Sequence, residues 1–91
     1  MSNPTTPLKD VVILKNAAIT RMPLSIIAKN HAVSPQLAAR KARNMAAAIC
    51  DMVENVGVRT IARCLHLTVA ELETIIAYHA AHEGLQQGLN P

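Results

Sequence analysis

Apolar residues recur along this chain at intervals of three and four, the rhythm of one face of a helix. Leu8, Val11, Val12, Leu14, Ala18 and Ile19 form a first such series, with Lys9, Lys15 and Asn16 turned outward. Thr6 is placed to cap that helix and Pro7 to occupy its first position, where a missing N–H costs nothing. Pro23 disfavours helical geometry in the residue before it, so the first helix should end near Thr20 to Met22. A second, short helix is expected from about Pro23 to His31, with Ile26 and Ile27 as its apolar contacts. After Ser34 the series Leu37, Ala38, Ala42, Met45, Ile49, Met52, Val53, Val56 runs without a breaker to Gly57. That predicts a long third helix, closed by Gly57 as its C-cap.

The segment after Gly57 repeats the one before it. Ile27-Ala28-Lys29 returns as Ile61-Ala62-Arg63, and Val33-Ser34 as Leu67-Thr68, a shift of 34 positions. In the first copy, Ala28 is small enough for two crossing helices to approach. Val33 plugs the corner, Ser34 caps the next helix and Pro35 fits its first position. In the second copy, Thr68 and Glu71 have the spacing of a capping box, and Leu72, Ile75 and Ile76 supply the inner face. The expected fold class is all-α, with about five helices and two consecutive helix–corner–helix units sharing the long central helix. The units span 24–44 and 58–82 of one helical domain, 6–83. The segments 1–5 and 84–91 read as flexible tails.

Composition agrees with helices rather than sheets. Fifteen of 91 residues are alanine and Tyr78 is the sole aromatic, whereas strands favour aromatic and β-branched residues. A chain this short buries only a thin core, and self-association would help it. Charge is divided unevenly. Residues 1–50 hold seven Lys/Arg against one acid, or +6; residues 51–91 hold Arg59 and Arg63 against Asp51, Glu54, Glu71, Glu73 and Glu83, or −3. A polyanion is drawn to the first half and repelled by much of the second. The plain alternative is a solvated surface whose charges fell unevenly.

The stretch LSIIAKNHAVSPQLAARKARN, residues 24–44, resembles the helix-turn-helix DNA-binding motif. Ala28, the Ala32-Val33-Ser34 turn, and Leu37 with Ala38 carry the likeness. Where such turns most often place glycine, this chain has Ala32, which requires a positive φ on a residue with a Cβ. The resemblance implies a sequence-specific transcriptional regulator of the small phage or plasmid type, repressor or activator. Its second helix would cross the DNA backbone, with Ser25, Lys29 and Ser34 holding phosphates. Gln36, Leu37, Arg40, Lys41, Arg43 and Asn44 would face the major groove. Gln36 and Asn44 suit adenine, and Arg40 or Arg43 suits guanine. The implied partner is double-stranded DNA, bound as a homodimer on half-sites roughly 34 Å apart. RNA polymerase or another protein is the further partner expected through the acidic C-terminal half.

A reading of another class stays open: a protein-binding adaptor or inhibitor, antitoxin-like or a host-takeover factor, built on the same frame. The acidic last helix, with Tyr78 and His79 read as exposed, favours it. Catalysis has no comparable support. No glycine-rich phosphate loop, nucleophile elbow or pair of carboxylates on one apolar face is present. Cys64-x-His66 and His79-x-x-His82 are the only clustered metal-ligand types, and they fall on different elements. Cys64 reads as lying toward the buried side of its helix, and with Cys50 as a reduced thiol of a cytoplasmic protein. No cofactor is expected. No secretory leader is read at the N-terminus, and no apolar run nears the ~20 residues that span a bilayer.

Overall fold

Two breakers, Pro23 and Gly57, and three residues of positive φ, Arg21, Ala32 and His66, divide the chain into its helices. The structure, a computed structural model, describes the backbone of residues 5–89 and the side chains of residues 9–82. Five helices follow one another: α1 (Thr5–Ala18), α2 (Leu24–His31), α3 (Pro35–Val56), α4 (Val58–Leu65) and α5 (Val69–Leu89). The fold is all-α, with no strand among the described residues. None of the described helices is long and apolar enough to cross a membrane.

Helix α1 ends at Ala18, earlier than Pro23 alone requires. Its last carbonyls are taken by the descending turn. Lys15 accepts from the N–H groups of Ile19 (2.8 Å) and Thr20 (3.0 Å), and Asn16 from that of Met22 (2.8 Å). Arg21 takes φ 58° to make this turn. Pro23 then stands just outside α2, and its carbonyl accepts from Ile26 and Ile27. Between α3 and α4 only Gly57 intervenes. It closes α3 by donating to the Val53 carbonyl (2.9 Å) and opens α4 by accepting from Ile61 (3.2 Å). Its φ of 111° is one that side chains rarely adopt.

The core is shared by all five helices. Ile13 and Leu14 from α1, Ile27 from α2, Ile49 from α3, and Leu72 and Ile75 from α5 are fully buried, with Ile61 of α4 nearly so. Helix α3 is the hub, touching each of the other four. Its inner stripe is Ala38, Ala42, Ala46 and Ile49, all wholly inaccessible to solvent. Alanines four residues apart lie one above another, so neighbouring helices approach the α3 backbone closely.

Several expected core positions shift. On α1, Ile13 is buried and Val12 is 44% exposed. Helix α1 packs against α2, α3 and α5 together, so its buried arc is broad, and Val12 lies opposite the centre of that arc. Lys15 and Asn16 are half-buried on the same account, while Lys9 is exposed. On α2, Ile26 points to solvent and Ile27 alone of that pair is buried. On α3, Met52 and Val56 are exposed, and Ala46 takes an inner position instead. Alanine is a weak hydropathy signal, so the larger residues outweighed it in the sequence. Tyr78 and His79 are half-buried rather than exposed, and Tyr78 packs against the core. Cys64 is exposed, not buried, and Cys50 is half-buried.

At the C-terminal end, the helix continues through Gly84 to Leu89, where a flexible tail was expected from 84. A glycine inside a helix costs about 1 kcal/mol relative to alanine and does not forbid it. At the other end Thr5 already belongs to α1, while residues 1–4, and the expected cap by the Thr6 side chain, lie outside what is described.

Candidate nucleic-acid interface

The corner between α2 and α3 is built from backbone first. Ala32 adopts φ 56°, ψ 43°, the left-handed conformation. Its N–H turns back to the carbonyls of Ala28 and Lys29, and the N–H of Val33 reaches the Ala28 carbonyl at 3.0 Å. This is the Schellman closure, with alanine in the place glycine usually takes. Val33 then packs against the core at the corner. Ser34 is extended (φ −75°, ψ 156°), and its Oγ accepts the Leu37 N–H at 3.1 Å. Pro35 opens α3.

What this corner presents follows from helical spacing. Ser25 and Lys29 are one turn apart on α2, exposed on the face away from Ile27 and Ala28. On α3, Gln36, Arg40 and Asn44 succeed one another at four-residue steps, all exposed, opposite the buried Ala38 and Ala42. Arg43 is exposed on one flank of this stripe. Its charge is close enough to act on the Tyr78 hydroxyl, whose pKa is raised by burial and partly lowered again by Arg43. Arg40 and Arg43 are not walled in by the chain's own helices.

Two members of the expected set stand apart. Leu37 is half-buried beside the stripe. Lys41 lies on the flank toward α1, its Nζ 3.6 Å from Asp10 Oδ1. No sequence signal pointed to that pairing, because its partners lie on separate helices and meet only when α1 docks on α3. The pair is partly exposed and worth less than ~1 kcal/mol. Lys41 therefore does not stand in line with Gln36, Arg40 and Asn44. Among the described residues, Lys29, Arg40 and Arg43 form no ion pair.

The second unit repeats the corner closely. His66 takes φ 58°, ψ 42°, with its N–H directed to Ala62 and Arg63, and the Leu67 N–H reaches the Ala62 carbonyl at 2.9 Å. Thr68 and Glu71 cap each other: the Thr68 N–H donates to Glu71 Oε1 (2.9 Å) and the Glu71 N–H to Thr68 Oγ1 (3.0 Å). The face presented is different. The positions equivalent to Gln36, Arg40 and Asn44 hold Ala70, Thr74 and Tyr78. Thr74 and Tyr78, with Ala77, line a cleft of about 450 Å³ closed on its other side by Ala17, Ala18 and Arg21. Tyr78 is further engaged by the His82 ring, 4.1 Å away between centroids. Helix α5 thus carries no Lys or Arg, and its exposed line of Ala70, Thr74, Ala77 and Ala81 has no amide or guanidinium group.

A second groove, about 620 Å³, runs between α3 and α5, lined by Ala47, Asp51, Glu54, Ile76, His79 and others. Among the described residues no three His, Cys, Asp or Glu side chains gather as a metal site would need. Comparison with protein-family models, curated proteins and solved structures finds no match for this chain.

Proposed function

We propose that the protein is a sequence-specific DNA-binding transcriptional regulator that reads a major groove with the first two turns of α3. One observation carries this reading. The capped start of α3 follows a tight corner and displays Gln36, Arg40, Arg43 and Asn44 together on its exposed side, and among the described residues no acid is ion-paired with Arg40 or Arg43. Amide side chains can pair bidentately with adenine and guanidinium groups with guanine. Ser25, Lys29 and Ser34 border the stripe as phosphate contacts, joined by Lys41 when it leaves Asp10, and Leu37 supplies an apolar contact at its edge. One reading head this small binds weakly, so the working form is a homodimer on a palindrome with half-sites roughly 34 Å apart. The acidic residues of α5 are the surface for RNA polymerase or another protein.

The test begins by selecting bound fragments from random duplex DNA, then measures affinity by fluorescence anisotropy across a salt series. Affinity should fall by about 0.9 log units per phosphate contact for each tenfold rise in salt. Arg40→Ala should cost ~1–3 kcal/mol on the selected site and relax preference at one base pair. A dominant affinity for a protein, with no selected sequence and flat salt dependence, would establish the adaptor instead.

A further inference from the structure

The acidic character of the second half does not belong to the second unit as a whole. Asp51 and Glu54 are on α3, before Gly57, and the remaining acids are on α5. Helix α4 between them carries Arg59 and Arg63 and no acid. These two arginines are one helical turn apart and both exposed, on the face away from the buried Ile61 and Ala62. Among the described residues neither is ion-paired. The nearest acid after the helix, Glu71, has its carboxylate engaged by the Thr68 N–H.

The 34-residue repeat gives this pair a meaning. Arg59 stands where Ser25 stands in the first unit, and Arg63 where Lys29 stands. Burial matches position for position, Ile61-Ala62 against Ile27-Ala28, and both helices close through the same left-handed corner, Ala32 in one and His66 in the other. The two short helices thus present equivalent faces on equivalent frames. The face of α4 is the more basic of the two. The helix that follows it carries no Lys or Arg and holds Ala70, Thr74 and Tyr78 where α3 holds Gln36, Arg40 and Asn44.

We propose that α4 is a second, sequence-independent phosphate-binding edge, in which Arg59 and Arg63 clamp a DNA backbone while α5 reads nothing. This rests on the first unit's being a DNA reader and adds a division of labour: one unit specifies, the other only holds. Two phosphate sources share this chemistry, the flank of the same duplex or a neighbouring duplex.

The experiment compares the full chain with Arg59→Gln/Arg63→Gln, with Arg59→Lys/Arg63→Lys and with Lys29→Gln. Each is titrated on selected and unrelated duplexes over a salt series. The glutamine pair should lower the slope of log affinity against log salt by about 1–2 for each chain bound, and so by up to about twice that for a homodimer, since each lost phosphate contact removes about 0.9. It should leave the ratio of selected to unrelated affinity unchanged, and the lysine pair should keep the parent slope. If the same duplex is held, the difference vanishes on a duplex trimmed to one half-site. If a second duplex is held, the parent chain brings two differently labelled duplexes into energy transfer and the glutamine pair does not. A glutamine pair with the parent slope, where Lys29→Gln lowers it, overturns the second edge and leaves the first unit's reading intact. A glutamine pair that loses selectivity overturns the claim that the edge is sequence-independent. Absence of any DNA binding by the parent chain overturns both.

Discussion

Replacing Ala32 with glycine should stabilise this protein, an uncommon outcome for a mutation. At Ala32 the backbone sits at φ 56°, ψ 43°, a conformation that costs a residue with a Cβ roughly 1–2 kcal/mol. The side chain is exposed, so removing its methyl group sacrifices no packing. Against the relief stands the greater freedom of glycine in the unfolded chain, about 0.4–1 kcal/mol. The balance is a gain of roughly 0.5–1 kcal/mol, or ~2–8 °C in Tm for a domain of this size. Urea unfolding followed by circular dichroism measures it, with the slope unchanged to show that the same surface unfolds. His66→Gly is a parallel test at the second corner, where φ is 58° and the residue is also exposed. Ala48→Gly, at an exposed position inside α3, should instead lose about 1 kcal/mol. If Ala32→Gly destabilises by as much as Ala48→Gly, the corner is not left-handed, and the geometry that aims α3 outward falls with it.

Three further outcomes follow from particular contacts. Ser34→Ala removes the acceptor of the Leu37 N–H and should cost ~1 kcal/mol in urea unfolding; under the proposed function it should also weaken DNA binding, because the first turn of α3 frays. Ala42→Leu forces three carbons into a position wholly closed to solvent at the centre of the hub helix and should destabilise by ~1–3 kcal/mol. Because burial raises the Tyr78 pKa above 10.0, the unfolded chain releases that proton first. Stability linked to it is therefore complete below pH 10 and is lost as pH rises through the folded-state value. Tyr78→Phe should remove that part of the decline in an alkaline unfolding series.

What could be read from the sequence was what local chemistry decides. Proline, glycine and the two capping residues fixed where α3 and the second corner begin, because each satisfies or removes a nearby backbone N–H. The left-handed residue at 32 was legible only through the resemblance to the helix-turn-helix motif, in which Ala32 stands where glycine is most often found. What could not be read is set by neighbours distant in the chain. Lys41 looked like one more groove-facing cation until α1 brought Asp10 to it. Tyr78 and His79 looked like an exposed recognition pair until helix packing half-covered them. Val12 and Ile13 exchanged roles because the width of the buried arc depends on how many helices α1 touches.

The repeat shows why shape and charge must be read separately here. Both corners close with the same hydrogen bonds and nearly the same dihedral angles, so the frame alone assigns the same role to each unit. The outer positions separate them: Gln36, Arg40 and Asn44 face solvent on α3, whereas Ala70, Thr74 and Tyr78 hold the equivalent places on α5 and two of them wall a cleft against α1. Phosphate attraction needs only positive charge on an open face, a condition that α2 and α4 both meet. Base reading needs in addition a free stripe of amide and guanidinium groups with room to enter a groove, and that occurs once in the described part of this chain. A frame used twice and an amide and guanidinium stripe found once among the described residues is the arrangement expected if one unit selects a DNA site and its copy holds the backbone beside it.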